Sequence, residues 1–168
     1  MRTARAEGYG TWGWAGGLAR SRAGSAAVEF ALLAPLLGVM LIGLVDFGLG
    51  VYTKMQVQNA AQAGAEYVIA NGFNSGNTTP VTTAVTTATN LSGITASPAP
   101  SQFYACPVDN TLSTVASGSI TCSSGKSAGS YVTVSAQAVY NTIMPYDQIG
   151  LSIPSSYTFT AASTVRIQ

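Results

Sequence analysis

The side chains able to do chemistry in this sequence are few and widely spaced. The chain contains six acidic residues, two cysteines and no histidine. Without histidine, no serine or cysteine has the usual general base, and the sequence has no phosphate-binding glycine loop with its lysine. Glu66, Asp109 and Asp147 are far apart in the sequence, and we interpret them as solvated surface charges. We therefore expect a non-enzymatic protein without a catalytic residue, a cofactor or a small-molecule substrate.

Cys106 and Cys122 both lie in the C-terminal part of the chain. In an oxidising compartment we expect them to form one disulfide, and two free thiols are the alternative. Two cysteines without histidine cannot form a tetrahedral zinc site by themselves, so no metal is expected. The net charge of +1 provides no basic field, which argues against nucleic acid as a partner.

Glu29 is the acidic residue with the most unusual surroundings. It lies five residues after Gly24 and is the single charge in the apolar run of residues 26–45. A carboxylate at bilayer depth costs on the order of 3 kcal/mol, so its presence favours a functional role. A cut after Gly24 would place the new amino group of Ser25 one helical turn before Glu29, or beside Glu29 of a neighbouring subunit. The alternative is a carboxylate that reaches the membrane edge or is protonated.

The apolar run has about 20 residues, enough to cross a hydrocarbon core of about 30 Å as a helix. Residues 1–24 carry four arginines and one glutamate, so the positive-inside rule places the N-terminus in the cytoplasm. The C-terminal part is then expected outside the cytoplasmic membrane, after a single pass. A cleavable secretory signal fits less well, because its apolar region would be too long.

Helical spacing of small and apolar residues continues after Asp46, which predicts one helix over residues 25–70 that stops at Asn71-Gly72. Pro35 is expected to kink this helix. Asp46 is interpreted as the acid that ends the membrane segment.

Two pairs of small residues, Ala60/Gly64 and Ala61/Ala65, would permit close packing in the second half of the helix. Their partner is either the protein's own strands or another subunit.

Residues 72–168 are predicted to form a small exported α+β domain, in which an antiparallel sheet packs on the C-terminal half of the long helix. A short second helix is predicted to begin at Pro80, with apolar residues on one face. Alternation predicts half-buried strands over residues 132–140 and 157–168, and a third strand near 102–106. The expected organisation is a leader (1–24), a transmembrane and stalk helix (25–71) and the exported domain (72–168).

A glycine, a glutamate five residues later and then a phenylalanine open the apolar helix behind the basic leader. This pattern is similar to the processing site of type IV pilin-like proteins. The string AVEFALLAPL at 27–36, followed by GLVDFG at 43–48 and NAAQAGA at 59–65, resembles the TadE-like family, the pseudopilins of tight-adherence (Flp) pilus systems. The resemblance is strong over residues 22–70 and loose in the later strands.

The resemblance implies that a prepilin peptidase removes the leader, with Gly24 before the cut and Ser25 as the new N-terminus. Glu29, followed by Phe30, would be the acid at the fifth mature position. Because a pair of opposite charges in a low-dielectric medium is neutral overall, pairing of Glu29 with the new amine would favour alignment of subunits in register. Asp46 would end the membrane segment. The implied partners are the membrane, the peptidase, other pilins or pseudopilins, and the pilus assembly platform.

The favoured hypothesis is a pseudopilin or minor pilin of the inner membrane that takes part in assembling adhesive tight-adherence pili. The alternative is a single-pass, membrane-anchored periplasmic binding module unrelated to pili. An anchored envelope enzyme is a third class, and the residues give it almost no support.

Overall fold

The computed structural model describes residues 23–108, 111–148, 150 and 152–167. The predicted leader lies outside the described residues except for its last two positions, and so does Asp109. In chain order the elements are α1 (Ala23–Asn71), α2 (Thr79–Thr87), β1 (Ser101–Val108), β2 (Thr111–Val115), β3 (Gly129–Asn141) and β4 (Ser156–Arg166). The α+β class with a long first helix, a short second helix and an antiparallel sheet is confirmed.

The chain divides into two compact units, Met1–Leu41 and Ile42–Gln168, and α1 contributes residues to both. In the first unit the described part of α1 is apolar and its side chains from Gly24 onward are exposed or half-buried. Among the described residues, α1 is the one helix long and apolar enough to cross a membrane. Pro35 lies inside α1, which continues past it, and the kink stays a prediction.

The second unit contains a four-stranded sheet in the order β2-β1-β3-β4. All neighbouring strands are antiparallel, and β3 is the long inner strand. Along one edge β3 pairs with the whole of β4. Along the other it pairs first with β1 and then, at Gln137, with the isolated residue Thr95. The predicted alternation is clear in β4, whereas β2 was not predicted from the sequence.

One face of β3 packs against the second half of α1 and against α2 to form the core. The buried apolar residues of this cluster are Val57, Ala60, Ala61, Val68, Val81, Val85, Ile94, Val132, Val134, Ala136 and Ala138. The helix α2 begins with Pro80 in its first turn, where a missing N–H costs nothing, and buries Val81 and Val85 one turn apart. It ends at Thr87, so Leu91 reaches the core from the following loop.

The small residues of α1 pack inside this unit, which settles the alternative left open by the sequence. A Cβ atom built on Gly64 would lie 2.5 Å from Cγ2 of Val85 and 2.7 Å from Cγ1 of Val134. These distances are too short for real carbon atoms, so only glycine lets α1, α2 and β3 approach this closely. Ala60, Ala61 and Ala65 are buried as well.

The structure contains the disulfide that the sequence predicts. Cys106 of β1 is joined to Cys122 of the loop between β2 and β3, with their Cα atoms 5.6 Å apart. The same loop is held by the N–H of Cys122, which donates to the carbonyl of Lys126 over 2.8 Å. Because Ala105 pairs with Gly129, the disulfide lies near the beginning of β3.

Candidate functional site

A buried carboxylate on α1 accepts three hydrogen bonds from the C-terminal part of the chain. Asp46 is only 6% exposed. Its Oδ1 accepts hydrogen bonds from the hydroxyl of Tyr140 over 2.7 Å and from the backbone N–H of Ile143 over 2.8 Å. Its Oδ2 accepts one from the hydroxyl of Tyr146 over 2.6 Å. Burial of the charge is therefore matched by three donors, as a buried carboxylate requires.

The alternation of side chains between the two faces of β3 explains how Tyr140 reaches this carboxylate. Tyr140 is two residues beyond Ala138 and six beyond Val134, so its side chain lies on the sheet face that packs on α1. Both phenol rings lie close to glycines of α1, at ordinary van der Waals distance from their Cβ positions. The Cβ position of Gly50 is 3.9 Å from Cε1 of Tyr140, and that of Gly43 is 3.9 Å from the hydroxyl oxygen of Tyr146.

The other two donors come from the loop that joins β3 to β4, which is held by its own hydrogen bonds. The hydroxyl of Thr142 donates to the carbonyl of Met144 over 2.8 Å, and its N–H donates to the carbonyl of Ser155 over 2.9 Å. The N–H of Tyr146 donates to Met144 over 2.9 Å. These hydrogen bonds hold the loop in a shape in which the backbone N–H of Ile143 and the hydroxyl of Tyr146 both point to Asp46.

The tyrosines act as hydrogen donors at neutral pH. Burial, together with the hydrogen bond and the negative charge of Asp46, raises the pKa of Tyr140 from 10.0 to about 12. The hydrogen bond to Asp46 is the main cause of the raised pKa of Tyr146, and burial adds to it. Since the three hydrogen bonds occupy both carboxylate oxygens, the arrangement is suited to holding the loop against α1 rather than to acid–base catalysis.

Sequence reasoning identified Asp46 but not its partners Tyr140, Ile143 and Tyr146. One signal was available, because an acid that closes an apolar run without a nearby basic residue needs hydrogen donors from elsewhere. The sequence alone could not assign those donors to a loop about 100 residues later. The role of Asp46 as the acid that ends the membrane segment stays a prediction.

The predicted processing residues belong to the first unit. Gly24, Ser25, Glu29 and Phe30 lie in the first two turns of α1, and all four are exposed. Ser25 and Glu29 are one helical turn apart, the separation that the expected pairing of amine and carboxylate needs. Cleavage and subunit registration stay predictions.

Asp46 and the disulfide lie at opposite ends of β3. Asp46 bonds to Tyr140, the second-to-last residue of the strand, whereas the disulfide lies near its first residue, Gly129. The structure therefore does not bring Cys106 and Cys122 to the Asp46 site. They stabilise the unit at a separate place.

Residues 24–66 match the family described as TadE-like protein. The matched segment runs from the predicted processing site through Asp46 to the buried small residues of α1, so the resemblance expected from the sequence is confirmed over this part of the chain. The similarity expected in the strands lies outside the match and stays a prediction. Comparisons with curated proteins and with solved structures gave no significant match.

Proposed function

We propose that this chain, similar to the TadE-like family over residues 24–66, is a pseudopilin or minor pilin that takes part in assembling tight-adherence (Flp) pili. The family match is the observation that carries the proposal. A second observation supports it, because the match begins where a helix long and apolar enough to cross a membrane begins. The polar groups of the Asp46 site are used internally, which suits a structural subunit better than an enzyme.

The proposed location is the bacterial inner membrane, crossed once by α1. The arginine-rich segment that precedes the helix would remain in the cytoplasm. The domain of residues 72–168 would then lie in the periplasm, where the Cys106–Cys122 disulfide is stable. This arrangement corresponds to a leader (1–24), a transmembrane and stalk helix (25–71) and an exported domain.

Cleavage between Gly24 and Ser25 by a prepilin peptidase is the proposed maturation step. It would create an amino group one turn before Glu29, at the start of α1. In a medium of low dielectric constant the paired charges are neutral together, whereas either charge alone is costly. A pair formed between neighbouring subunits would therefore favour one axial register, with the pilus platform and other pilins as partners.

The experiment that tests this proposal is co-expression with the prepilin peptidase of a tight-adherence system, followed by intact-mass measurement of membrane-extracted protein. We expect a loss equal to residues 1–24 and serine as the first residue. A catalytically inactive peptidase provides the control. A chain that keeps its leader beside the active enzyme would contradict the processing step.

A deletion strain tests the role in assembly separately. We expect few or no surface pili by electron microscopy when this chain is absent, and recovery when it is supplied on a plasmid. Normal pili in the deletion strain would contradict the proposed function even if the leader is cleaved.

A further inference from the structure

The loop between β3 and β4, described over residues 142–148, 150 and 152–155, contacts the end of the apolar run of α1. Its Ile143 and Tyr146 donate hydrogen bonds to Asp46, the residue that follows this run. Gly43, still inside the run, has its Cβ position 3.9 Å from the hydroxyl oxygen of Tyr146. A segment from the C-terminal part of the chain is thus held at the level where α1 leaves the proposed membrane-spanning stretch.

The exposed surface of α1 remains apolar beyond Asp46. Because the carboxylate of Asp46 is turned into the second unit, it does not interrupt that surface. Phe47 is 71% exposed, and Val51 and Tyr52 are exposed as well. Between Glu29 and Lys54 the only charged residue is Asp46, a stretch of about 36 Å at the helical rise. A hydrocarbon core of about 30 Å can therefore extend to the level of the loop.

The loop itself presents apolar side chains to its surroundings. Ile143 is 58% exposed and Ile153 is 40% exposed, although both are large aliphatic residues. Pro145 is exposed too, and the segment of residues 142–155 contains a single charge, Asp147. Tyr157 lies exposed at the start of β4, just after the loop. Exposed aliphatic side chains next to tyrosines are typical of protein surfaces at the membrane–water interface.

We propose that this loop makes a second membrane contact through Ile143 and Ile153, whose side chains lie in the interfacial layer of the lipid bilayer next to α1. The proposal rests on the membrane anchoring that is part of the proposed function. A lipid surface is the occupant that fits, because the loop is bonded to Asp46 at the end of the apolar run proposed to cross the membrane, and it exposes the large aliphatic side chains of Ile143 and Ile153. The contact would hold the Asp46 end of the unit at the bilayer while β1 and the disulfide lie at the far end of β3.

The far end of β3 provides a matched control position. Ile120 is 39% exposed, close to the value for Ile153, and its carbonyl accepts a hydrogen bond from Ala128, next to the first residue of β3. Gly64, which faces Val134 in the middle of that strand, is already about 27 Å along α1 from Asp46 by the helical rise. An isoleucine at that end is therefore outside the interfacial layer if the proposal is correct.

The test uses the full chain, with Trp12 and Trp14 replaced by phenylalanine, reconstituted in phosphatidylcholine vesicles. Two further variants carry Ile143→Trp or Ile120→Trp, and lipids brominated near the head-group end of their acyl chains quench tryptophan on contact. We expect about twofold or stronger quenching of the Ile143→Trp variant relative to the Ile120→Trp variant, together with a blue-shifted emission. An intact disulfide and unchanged protease resistance verify that both variants are folded.

Equal quenching of the two variants in vesicles that carry the protein through a flotation gradient would overturn the loop contact and leave the anchoring intact. Protein that does not float with the vesicles would overturn the anchoring and the loop contact together. An Ile143→Ser/Ile153→Ser variant gives an independent measurement. It should make the loop, but not the Ile120 region, more sensitive to added protease in vesicles, and unchanged sensitivity would contradict the proposal.

Discussion

Tyr146 donates its phenolic hydrogen to Oδ2 of Asp46 over 2.6 Å, although 100 residues separate the two in the chain. Together with the bonds from Tyr140 and Ile143, this contact ties the loop after β3 to the middle of α1. A buried carboxylate is costly by itself, and each of its donors is also costly to leave without an acceptor. The site should therefore tolerate the loss of a single donor better than the loss of the acid.

Asp46→Ala should lower the free energy of unfolding of the second unit by about 3 kcal/mol, because three donors lose their acceptor. Tyr146→Phe removes a single bond and should cost about 1–2 kcal/mol. The neighbouring Asp147→Asn, at an exposed position, should change stability by less than about 0.5 kcal/mol. Urea unfolding in detergent micelles measures all three, and equal effects of Asp46→Ala and Asp147→Asn would contradict the structural role of the carboxylate.

The stability of the unit should fall at alkaline pH. The pKa of Tyr140 is raised from 10.0 to about 12 in the folded chain, so the unfolded chain releases its phenolic proton first. The stabilisation is fully present below pH 10 and is lost as the pH rises towards about 12. Thermal melting across this interval measures the loss. In Tyr140→Phe the decline should be shallower, and an identical decline would exclude Tyr140 as its source.

Gly64→Ala should destabilise the core by about 1–3 kcal/mol, because the added carbon collides with Val85 and Val134. Gly48→Ala is the matched control on the same helix, since nothing lies within 4 Å of its Cβ position. That control should be neutral or stabilising by up to about 1 kcal/mol, through higher helix propensity. Denaturant midpoints of the two variants decide the question. Equal midpoints would mean that α1 is less closely packed than the structure shows.

The Cys106→Ser/Cys122→Ser double variant should lose roughly 3 kcal/mol, the value expected for a loop closed across 16 residues. Iodoacetamide labelling followed by mass spectrometry checks the bond itself. Periplasmic protein should take up no label before reduction and two labels afterwards. Labelling without reduction would support the alternative of two free thiols.

Glu29→Val should insert in the membrane normally but fail in pilus assembly, because the charge that registers neighbouring subunits is absent. Glu66→Gln, a change of an exposed acid later on α1, should leave assembly intact. Membrane fractionation and counts of surface pili separate insertion from assembly. Normal piliation of Glu29→Val would remove the pairing role and favour the binding-module hypothesis.

Local patterns in the sequence were sufficient for most of the elements, although β3 is buried on both faces over most of its length rather than half-buried as predicted. The length of the apolar run predicted the first half of α1, helical spacing predicted its second half and α2, and strict alternation predicted β3 and β4. The strand β2 was missed because its five residues are nearly all exposed, so they leave no alternating pattern. Its place is set by pairing with β1, which a local pattern cannot reveal.

The hydrogen-bond partners of Asp46 could not be predicted from the sequence, for a different reason. A carboxylate in an apolar run indicates that hydrogen-bond donors lie close to it in the folded chain. Which residues supply those donors depends on how β3 is aligned with α1. Tyr140 could have been placed on the core face of β3 by alternation alone. The hydrogen bonds from Ile143 and Tyr146 to Asp46 depend on the conformation of the loop. The donor of Ile143 is its backbone N–H, which almost every residue has, so the residue type does not reveal it.

The order of synthesis gives the bonds to Asp46 a further consequence. The chain grows from α1 towards β3, so a ribosome at about 5–20 residues per second needs roughly 5–20 seconds to deliver the donors to this acid. During that interval the helix face with Val57, Ala60 and Val68 has no sheet to cover it. A nascent chain arrested before β3 would therefore expose an apolar helix face of the kind that chaperones bind, and the finished protein buries that face.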